Sequence, residues 1–346
     1  MKIAVIAPPF ITVPPKEYGG TELFIGHLAE GLKKKGVEVV VYTNGESTID
    51  VERRWIYEHA QWPIKSEQEA CLRELDHTSW AVGDAALRSC DLIHFNSALS
   101  LTFARFASVP TACTLHGPHD PKLSALYARY PETYYVCISQ FQCDQESMPR
   151  RRTIHHGIDL AQYHLVENKQ RYLSFIGRIA PIKGTHLAID VAKRTGIPLK
   201  IAGEIQPAYH YYFEEKIKPE LDGKLIEYVG LADLKMKNEL LGNSMAMLFP
   251  IKWNEPFGLV MVEAMACGTP VLALPGGSVP EIVHDGVSGY LCRSVREMAK
   301  RLENLQLSPR KVRQYVEENF SNEHMVDGYI SLYQESLSER RQPKIA

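Results

Sequence analysis

The strongest constraint on the fold is a pattern of apolar and polar residues that occurs twice, roughly 170 residues apart. In the first copy, the apolar run KIAVIAPPF precedes a loop, the amphipathic stretch TELFIGHLAEGLKKKG and the apolar run VEVVVYT. The second copy consists of YLSFIGR, the loop APIKG, THLAIDVAKRTG and PLKIAGE. Short apolar strands that alternate with amphipathic helices are typical of parallel sheets covered on both faces. The pattern predicts an α/β chain with two doubly wound, Rossmann-like domains.

The limits of these domains follow from the rest of the pattern. DLIHFN, TACTLHG and YYVCIS read as further strands of the first domain. The segment 158–171 is polar and has no clear period, which indicates a connection between domains. We therefore expect a first domain over residues 1–165 and a second over 166–321.

Composition excludes several classes of protein. The chain has 346 residues, 23% of them charged, and a net charge of −2, so nucleic acid is not an expected partner. The first apolar run is too short for a signal peptide, and no long uncharged apolar run follows, so no transmembrane segment and a cytoplasmic location are expected. Seven cysteines without a CxxC pair indicate reduced thiols, with Cys267 in the core. The runs Lys33–Lys35 and Arg150–Arg152 leave weak peripheral contact with anionic lipid open, although the helix dipole explains three lysines at a helix end equally well.

Candidate ligand-binding residues of the first domain lie where predicted strands end, because ligands of such sheets bind at the carboxyl ends of strands. Gly19 and Gly20 stand at the mouth of the first helix, as a turn capped by Thr21 or as backbone that approaches an anionic or sugar ligand. His116 follows another strand, as a structural histidine or as a ligand contact.

A metal site in the first domain is not expected. His119 and Asp120 lie close in sequence to His116, but the chain has no DxD motif and no second acidic cluster. His94, inside the strand DLIHFN, is expected to pack in the core.

The second domain has a more specific cluster of cations. GRIAPIKG places Arg178 and Lys183 between a strand and a helix that begins near Gly184. Arginine binds two oxygens at once and lysine acts as a point charge, so the loop suits a diphosphate. The alternative is a pair of solvated surface cations.

Two carboxylates follow in EPFGLVMVEAMACG, where Glu255 lies in a loop and Glu263 lies in the predicted helix. A carboxylate accepts hydrogen bonds from two vicinal hydroxyls, so Glu263 suits a ribose and Glu255 a hexose. The amides of Gly258 and Leu259, at the helix N-terminus, suit the phosphates between them. The alternative for Glu263 is a solvent-facing helical residue.

These segments together resemble a known family. GRIAPIKG followed by EPFGLVMVEAMACGTPVLALPGGSVPEIV resembles the retaining nucleotide-sugar glycosyltransferases of family 4, the glycogen synthase and sucrose synthase-like group 1 transferases. The resemblance extends to YGGTE, IHHGID and a C-terminal helix in FSNEHMVDGYISLYQESL. It implies the GT-B fold of two Rossmann-like domains facing a central cleft: an acceptor domain over 1–165, a donor domain over 166–321, and a last helix at about 322–340 that packs back on the acceptor domain.

The resemblance also implies roles for residues at matching positions. Arg178 and Lys183 match the diphosphate-binding pair, and Glu263 matches the ribose-binding acid. Glu255 and His116 match residues close to the transferred hexose. The catalytic positions implied are Glu255, His116, Arg178 and Lys183. The donor-binding positions implied are Gly19, Gly20, Gly177, Arg178, Lys183, Gly203, Glu204, Val229, Gly230, Leu231, Glu255, Phe257, Gly258, Leu259 and Glu263, with Gly203, Glu204 and Val229–Leu231 near the base.

One position departs from the family pattern. His156 stands where the family commonly has the asparagine of an Asn-Gly pair. Any role of that amide is therefore in doubt for this chain.

By the same resemblance, the expected activity is a retaining hexosyl transfer from a nucleoside-diphosphate sugar, a UDP-sugar such as UDP-glucose, to a hydroxyl. The acceptor attacks the face that the diphosphate leaves, a phosphate oxygen takes the proton, and no metal or other cofactor is required. A sugar, a lipid-linked sugar and a small molecule remain open as acceptors. The alternatives are a nucleotide-sugar epimerase or hydrolase of the same fold and a non-catalytic nucleotide-sugar-binding protein.

Trp55, Trp62 and Trp80 are expected to pack in the core.

Overall fold

The computed structural model describes residues 1–16, 19–64 and 66–341, which form two compact units. The first unit holds residues 1–157 and the chain from Asn322 onward, and the second holds residues 158–321. Glu17 and Tyr18 of the EYGGTE segment lie outside the described residues. Residues 158–165, which the sequence analysis placed in the first domain, lie in the second unit. They pack there because Arg313 donates hydrogen bonds to the carbonyl oxygens of Leu160 and Tyr163.

The first unit contains a fully parallel sheet, which within the described residues has the strand order β3-β2-β1-β4-β5-β6-β7. Its strands are β1 Lys2–Ile6, β2 Glu38–Tyr42, β3 Glu52–Arg54, β4 Leu92–Phe95, β5 Thr111–Leu115, β6 Tyr134–Cys137 and β7 Arg151–Thr153. Its first five helices are α1 Gly20–Lys34, α2 Glu67–Leu87, α3 Ala98–Leu101, α4 Pro121–Tyr127 and α5 Gln140–Cys143.

The second unit repeats this winding with the order β10-β9-β8-β11-β12-β13, again parallel throughout its described pairs. Its strands are β8 Gln170–Ile176, β9 Leu199–Ala202, β10 Ile226–Gly230, β11 Ser244–Phe249, β12 Val271–Ala273 and β13 Gly289–Leu291. Its helices are α6 Thr185–Thr195, α7 His210–Tyr212, α8 Leu234–Asn243, α9 Leu259–Ala266, α10 Val279–Ile282, α11 Val295–Glu303 and α12 Pro309–Asn319. Short 3-10 turns lie at Thr102–Phe106, Leu160–Gln162, Pro181–Lys183, Pro207–Tyr209 and Lys218–Glu220, and a π turn lies at Phe213–Ile217. The prediction of two doubly wound parallel sheets is confirmed.

The last helix, α13 Asn322–Arg341, belongs to the first unit, where it packs on α1. Met325, Val326 and Tyr329 share a core cluster with the apolar face of α1. The two helices lie so close that a Cβ atom on Gly31 would stand 2.4 Å from the Cγ2 atom of Val326. A second cluster fills the opposite face of the sheet, so β1 and its neighbours are buried on both sides.

The predicted basic runs are partly neutralised within the first unit. Lys33 pairs with Asp50 at 2.8 Å, and Lys35 pairs with Asp327 at 2.9 Å. Arg150 pairs with an acid of α13, Glu339. Within the described residues, no helix is both long and apolar enough to cross a membrane.

The prediction that the tryptophans pack in the core is correct for Trp80 and wrong for two others. Trp80 packs against the core with its ring edge-on to Tyr42. Trp55 is 38% exposed and Trp62 is 44% exposed. Both lie in the connection between β3 and α2, which runs outside the layers that bury the sheet.

Candidate functional site

The loops that follow β8 and β11 meet at the carboxyl end of the second sheet, where the strand order reverses. Such a reversal is the usual ligand-binding position of a doubly wound sheet. The amide of Lys252 donates a 2.7 Å hydrogen bond to the carbonyl oxygen of Ile182 and so ties the two loops together. Gly184 permits the approach, because it has φ +75° and a Cβ atom there would lie 2.0 Å from the carbonyl oxygen of Pro250.

Lys183 and Glu255, one from each loop, form an ion pair in this place. The Nζ atom of Lys183 lies 2.6 Å from Oε2 of Glu255, and their side chains are 15% and 8% exposed. The indole Nε1 of Trp253 donates to the same oxygen at 2.9 Å, and the ammonium lies 4.6 Å from the Trp253 ring centroid. A lysine, a carboxylate and an indole therefore form one partly buried polar cluster.

The backbone of Glu255 is fixed by the segment before α10. Its carbonyl oxygen accepts a 2.9 Å hydrogen bond from the amide of Ser278, whose hydroxyl donates to the carbonyl oxygen of Phe257. Gly277 has φ +63°, and a Cβ atom there would lie 2.5 Å from the amide nitrogen of Glu255. The position of the carboxylate is thus set by backbone contacts as well as by its ion pair.

Helix α9 begins shortly after Glu255, directly after Gly258. Gly258 caps the helix in the left-handed region at φ +83° and supplies no side-chain cap. The first amides of a helix have no partner within it and carry a partial positive charge, which suits an anion. Leu259 provides the first of these amides, whereas the ring of Phe257 is buried and packs edge-on to Phe320.

Arg178 lies at the same edge, in the loop after β8. Its Nη1 atom donates a long, 3.4 Å hydrogen bond to Gln206, which in turn donates to Glu204 at 2.9 Å. The residue as a whole is only partly buried. Its remaining donors can therefore turn toward a ligand at this edge.

The positions predicted near the base lie at neighbouring strand ends. The amide of Gly203, after β9, donates to the carbonyl oxygen of Gly230, the last residue of β10. The amide of Gly177, after β8, donates to the carbonyl oxygen of Ala202. Val229 is half-buried and Leu231 is 43% exposed. The structure thus places these predicted positions along one edge of the sheet, while their contacts with a base stay a prediction.

Glu263 points into the protein from α9 and is not a solvent-facing helical residue. Its side chain is 2% exposed, and its Oε1 atom accepts hydrogen bonds from the Tyr163 hydroxyl and from Nζ of Lys237, each at 2.9 Å. Sequence reasoning missed both partners. Lys237 lies on α8, where nothing in the sequence distinguishes it from a solvated surface lysine. Tyr163 lies in the segment 158–171, which the sequence analysis assigned to the connection between the domains.

In the first unit, Gly19 caps α1 with φ +151° and without a side-chain cap. The alternative that Thr21 caps this helix is therefore wrong. A Cβ atom on Gly19 would lie 2.9 Å from the carboxylate of Glu22, which is itself buried. Burial raises the pKa of Glu22 to about 7. Gly20 is exposed and has open space at its Cβ position.

His116 is oriented by a residue that sequence reasoning also missed. Asn96, after β4, donates from Nδ2 to the carbonyl oxygen of Ile6, so its Oδ1 faces Nε2 of His116 at 3.0 Å. Burial lowers the pKa of His116 to about 3, so the ring is neutral at physiological pH. Since Oδ1 only accepts, Nε2 carries the proton and Nδ1 is left as the acceptor.

The other polar residues near His116 have structural partners. Nδ1 of His119 lies 3.0 Å from Glu146, and Asp120 caps α4 through a 2.7 Å bond from the amide of Lys122. His94 is buried between Thr114 and Tyr333, as expected of a core residue. Among residues 1–16, 19–64 and 66–341, no three His, Cys, Asp or Glu side chains are grouped as ligands for a metal ion.

Comparison with known proteins matches both units. Residues 18–162 match the family described as Glycosyltransferase Family 4, and residues 159–322 match Glycosyl transferases group 1. The chain belongs to the group 1, family 4 glycosyltransferases. It is 30% identical to the D-inositol 3-phosphate glycosyltransferase of Mycolicibacterium smegmatis (strain ATCC 700084 / mc(2)155) over 187 residues, which are 50% of this chain and 42% of that protein. The match thus spans less than half of that relative's length.

Two solved glycosyltransferase structures show the same fold. Sucrose-phosphate synthase (tll1590) from Thermosynechococcus elongatus matches with a TM-score of 0.81 and 19% identity, over 98% of this chain and 99% of that one. Anabaena Alr3699/HepE, in complex with UDP-glucose, matches with a TM-score of 0.74 and 18% identity, over 98% and 100% of the two chains. The predicted GT-B class, with one parallel-sheet domain in each unit, is confirmed.

Within this family assignment, the roles of the individual residues stay predictions. The structure brings Lys183, Glu255 and the start of α9 together, and it places Arg178 at the same sheet edge. Trp253 lies two residues before Glu255 and donates a hydrogen bond to its carboxylate. The sequence offered a signal for this contact, because the indole N–H of a tryptophan close to a loop carboxylate is a possible hydrogen-bond donor to it.

Proposed function

We propose that this glycosyltransferase moves a hexose from a nucleoside-diphosphate sugar to a hydroxyl acceptor, with retention of configuration and without a metal ion. One observation carries the proposal: the Lys183–Glu255 pair lies beside the N-terminus of α9 at the reversal point of the second sheet. The groups at this place are complementary to the two parts of a sugar diphosphate, the sugar and the diphosphate. Lys183 and the amides suit phosphate oxygens, and Glu255 suits sugar hydroxyls.

The positive groups would stabilise the departing diphosphate. As the bond between the anomeric carbon and the phosphate oxygen breaks, negative charge develops on the diphosphate. Arg178 and Lys183, together with the amides at Gly258 and Leu259, supply fixed positive charge for it. Because these groups provide the charge that a divalent cation supplies elsewhere, the reaction proposed needs no metal ion.

Lys183 must divide its hydrogen bonds between Glu255 and a phosphate. An ammonium has three donors, and the Lys183–Glu255 bond uses one of them. Glu255 likewise accepts from Lys183 and Trp253 through Oε2, which holds its carboxylate in a fixed orientation. The pair is therefore suited to position both halves of the donor at once.

The acceptor step is proposed to occur on the face that the diphosphate leaves. The acceptor oxygen bonds to the anomeric carbon, and its proton passes to a phosphate oxygen of the leaving diphosphate. Atoms and charge balance without a protein nucleophile. For His116, we propose a role in binding sugar: Nδ1 of its neutral ring can accept a hydrogen bond from a sugar hydroxyl.

A uridine nucleotide is the proposed donor. Anabaena Alr3699/HepE, a structural neighbour with the same fold, has been solved with UDP-glucose, which supports this choice of base and sugar. Glu263 is proposed to hold the ribose hydroxyls. Since its Oε1 already accepts from Tyr163 and Lys237, the ribose would be bound through the carboxylate's other oxygen or by replacing one of these donors.

The experiment is a thermal-shift panel of UDP, GDP, ADP and their hexose conjugates, with magnesium and with EDTA. A ligand that binds only the folded chain adds about 2.7 kcal/mol to the free energy of unfolding at a concentration of a hundred times Kd, and it therefore raises the unfolding temperature. We expect a shift with UDP and UDP-glucose that is the same in EDTA.

Arg178→Ala should reduce this shift, because it removes a diphosphate ligand. Arg171→Ala is the matched control, since Arg171 is exposed near the opposite end of the same strand, β8. A shift that Arg178→Ala leaves unchanged would remove Arg178 from the site. Absence of a shift with every nucleotide would overturn the proposed donor.

A further inference from the structure

The first unit contains a pocket that the donor site does not use. Its volume is about 190 Å³, and Phe10, Gln61, Trp62, Ile64, Glu69 and Arg73 contribute to its lining. Phe10 lies in the loop after β1, and Gln61–Ile64 precede α2, on which Glu69 and Arg73 lie. The loop that carries Phe10 also leads to Gly19 and Gly20 at the start of α1. The pocket therefore lies at the ligand-binding edge of the first sheet.

The walls of the pocket are held in place by hydrogen bonds. Buried Asn44 donates to the carbonyl oxygens on either side of Phe10, those of Pro9 and Ile11. The amide of Gln61 donates to the same carbonyl oxygen of Pro9. The pocket is thus formed before any ligand binds, as is usual for small-molecule sites.

The segment before the pocket is anchored as well. The amide of Gly45 donates to the carbonyl oxygen of Tyr57 at 3.0 Å, and the Tyr57 hydroxyl donates to Asp76 on α2 at 2.8 Å. A Cβ atom on Gly45 would lie 2.6 Å from the carbonyl oxygen of Glu58. These contacts hold the loop at Tyr57 and Glu58, shortly before the residues that line the pocket.

Trp62 and Ile64 leave apolar surface uncovered at the pocket. They are 44% and 41% exposed, although large apolar side chains are favoured inside a protein. An exposed indole beside a small pocket offers a flat apolar face to a ligand and a polar N–H at its edge.

The polar lining identifies the class of ligand. Glu69 and Arg73 form an ion pair one helical turn apart, so the pocket has no net charge from them and does not suit a free phosphate. The carboxylate of Glu69, the guanidinium of Arg73 and the side-chain amide of Gln61 together offer both acceptors and donors, which hydroxyl groups require. The volume is below the roughly 300–1,000 Å³ of sites for drug-sized ligands, so one ring fits.

We propose that this pocket binds a pyranose ring of the acceptor, with the ring's C–H face on Trp62 and its hydroxyls on Glu69 and Arg73. The assignment as acceptor rests on the proposed function. It narrows the acceptor to a sugar or a glycoside.

The test measures binding of methyl α-D-glucopyranoside, methyl α-D-mannopyranoside, methyl β-D-galactopyranoside and N-acetyl-D-glucosamine to the full chain by saturation-transfer NMR. We expect one of them to bind, and Trp62→Ala to weaken that binding about tenfold, the usual scale for truncating an aromatic anchor. Trp55→Ala is the matched control. Trp55 lies in the same segment with similar exposure, but its Nε1 donates to Glu58 and it does not line the pocket.

The UDP-induced thermal shift separates this proposal from the proposed function. A normal UDP shift in Trp62→Ala, with lost saccharide binding, supports the pocket. A normal UDP shift with no saccharide binding in the unsubstituted chain, or with equal binding in Trp62→Ala and Trp55→Ala, overturns the pocket alone. Sedimentation with phosphatidylcholine vesicles is the final arm. Vesicle binding that depends on Trp62, without saccharide binding, would assign the surface to lipid and overturn the proposal.

Discussion

At the scale of single residues, the largely buried Lys183–Glu255 pair is not by itself evidence of a gain in stability. Removing two charges from water offsets most of the attraction between them, so a buried ion pair is weak evidence for a gain in stability. Removing one partner alone costs about 3–5 kcal/mol, because the other charge stays buried. Substitutions of either residue therefore affect folding as well as activity, and the half-buried Arg178 is the cleaner probe.

Asn96 gives a sharper prediction at the same scale. Its amide orientation is fixed by the carbonyl oxygen of Ile6, so His116 should be protonated at Nε2 in the folded chain. Long-range ¹H–¹⁵N NMR of the ring distinguishes the two tautomers directly. Asn96→Asp places a carboxylate opposite Nε2–H and should raise the pKa of His116 from about 3. Protonation at Nδ1 in the unsubstituted chain would show that Asn96 does not orient the ring.

At the scale of elements, two glycines test how closely the loops that carry Lys183 and Glu255 must approach each other. Gly184 and Gly196 both have left-handed backbone, with φ +75° and +63°. A Cβ atom on Gly184 would collide with Pro250, whereas Gly196 has open space. We expect Gly196→Ala to cost about 1–2 kcal/mol of unfolding free energy from backbone strain alone.

Gly184→Ala should cost clearly more than Gly196→Ala, because strain and collision add. It should also weaken UDP binding, since the collision separates the loops that carry Lys183 and Glu255. Urea unfolding and the nucleotide thermal shift measure the two effects. Equal losses of stability in both variants would mean that the loops can separate freely.

At the scale of the whole molecule, buried neutral histidines set the pH dependence of stability. Burial lowers the pKa of His77 to about 4 and of His94 to about 3, and it also lowers the pKa of His156. Below the unfolded value of about 6.5, the unfolded chain binds protons that the folded chain does not. The free energy of unfolding should therefore fall as the pH is lowered from 6.5 to about 4. Urea titrations at several pH values measure it.

Glu22 opposes this trend and provides its control. Burial raises its pKa from 4.5 to about 7, so between these values the folded chain binds the extra proton and lower pH stabilises it. Glu22→Gln removes that contribution and should make the loss of stability between pH 7 and pH 4.5 steeper. An unfolding free energy that rises as pH falls from 6.5 would contradict the assignment of neutral buried histidines.

Much of the architecture was predictable because each strand and helix has a local signature. The apolar run of β8, the helical period of α6 and the glycine that ends it specify their own elements. The loop positions of Arg178, Lys183 and Glu255 followed from those elements. The exposure of Trp55 and Trp62 was not predictable in this way, because an apolar side chain has the same local signature inside and outside a core.

The two-domain α/β class, the strand–helix–strand units that open each domain, and the loops at the carboxyl ends of their strands could be predicted from the sequence alone. These depend on periodicity and on glycine positions, which are local along the chain. The hydrogen-bond partners of the buried polar groups could not be predicted and follow from tertiary packing. Glu263 meets Tyr163, 100 positions away, as well as Lys237, and Asn96 reaches Ile6, 90 positions away. Such pairs depend on how the strands and helices pack in three dimensions, and a hydrogen bond between distant residues has no local signature in the sequence.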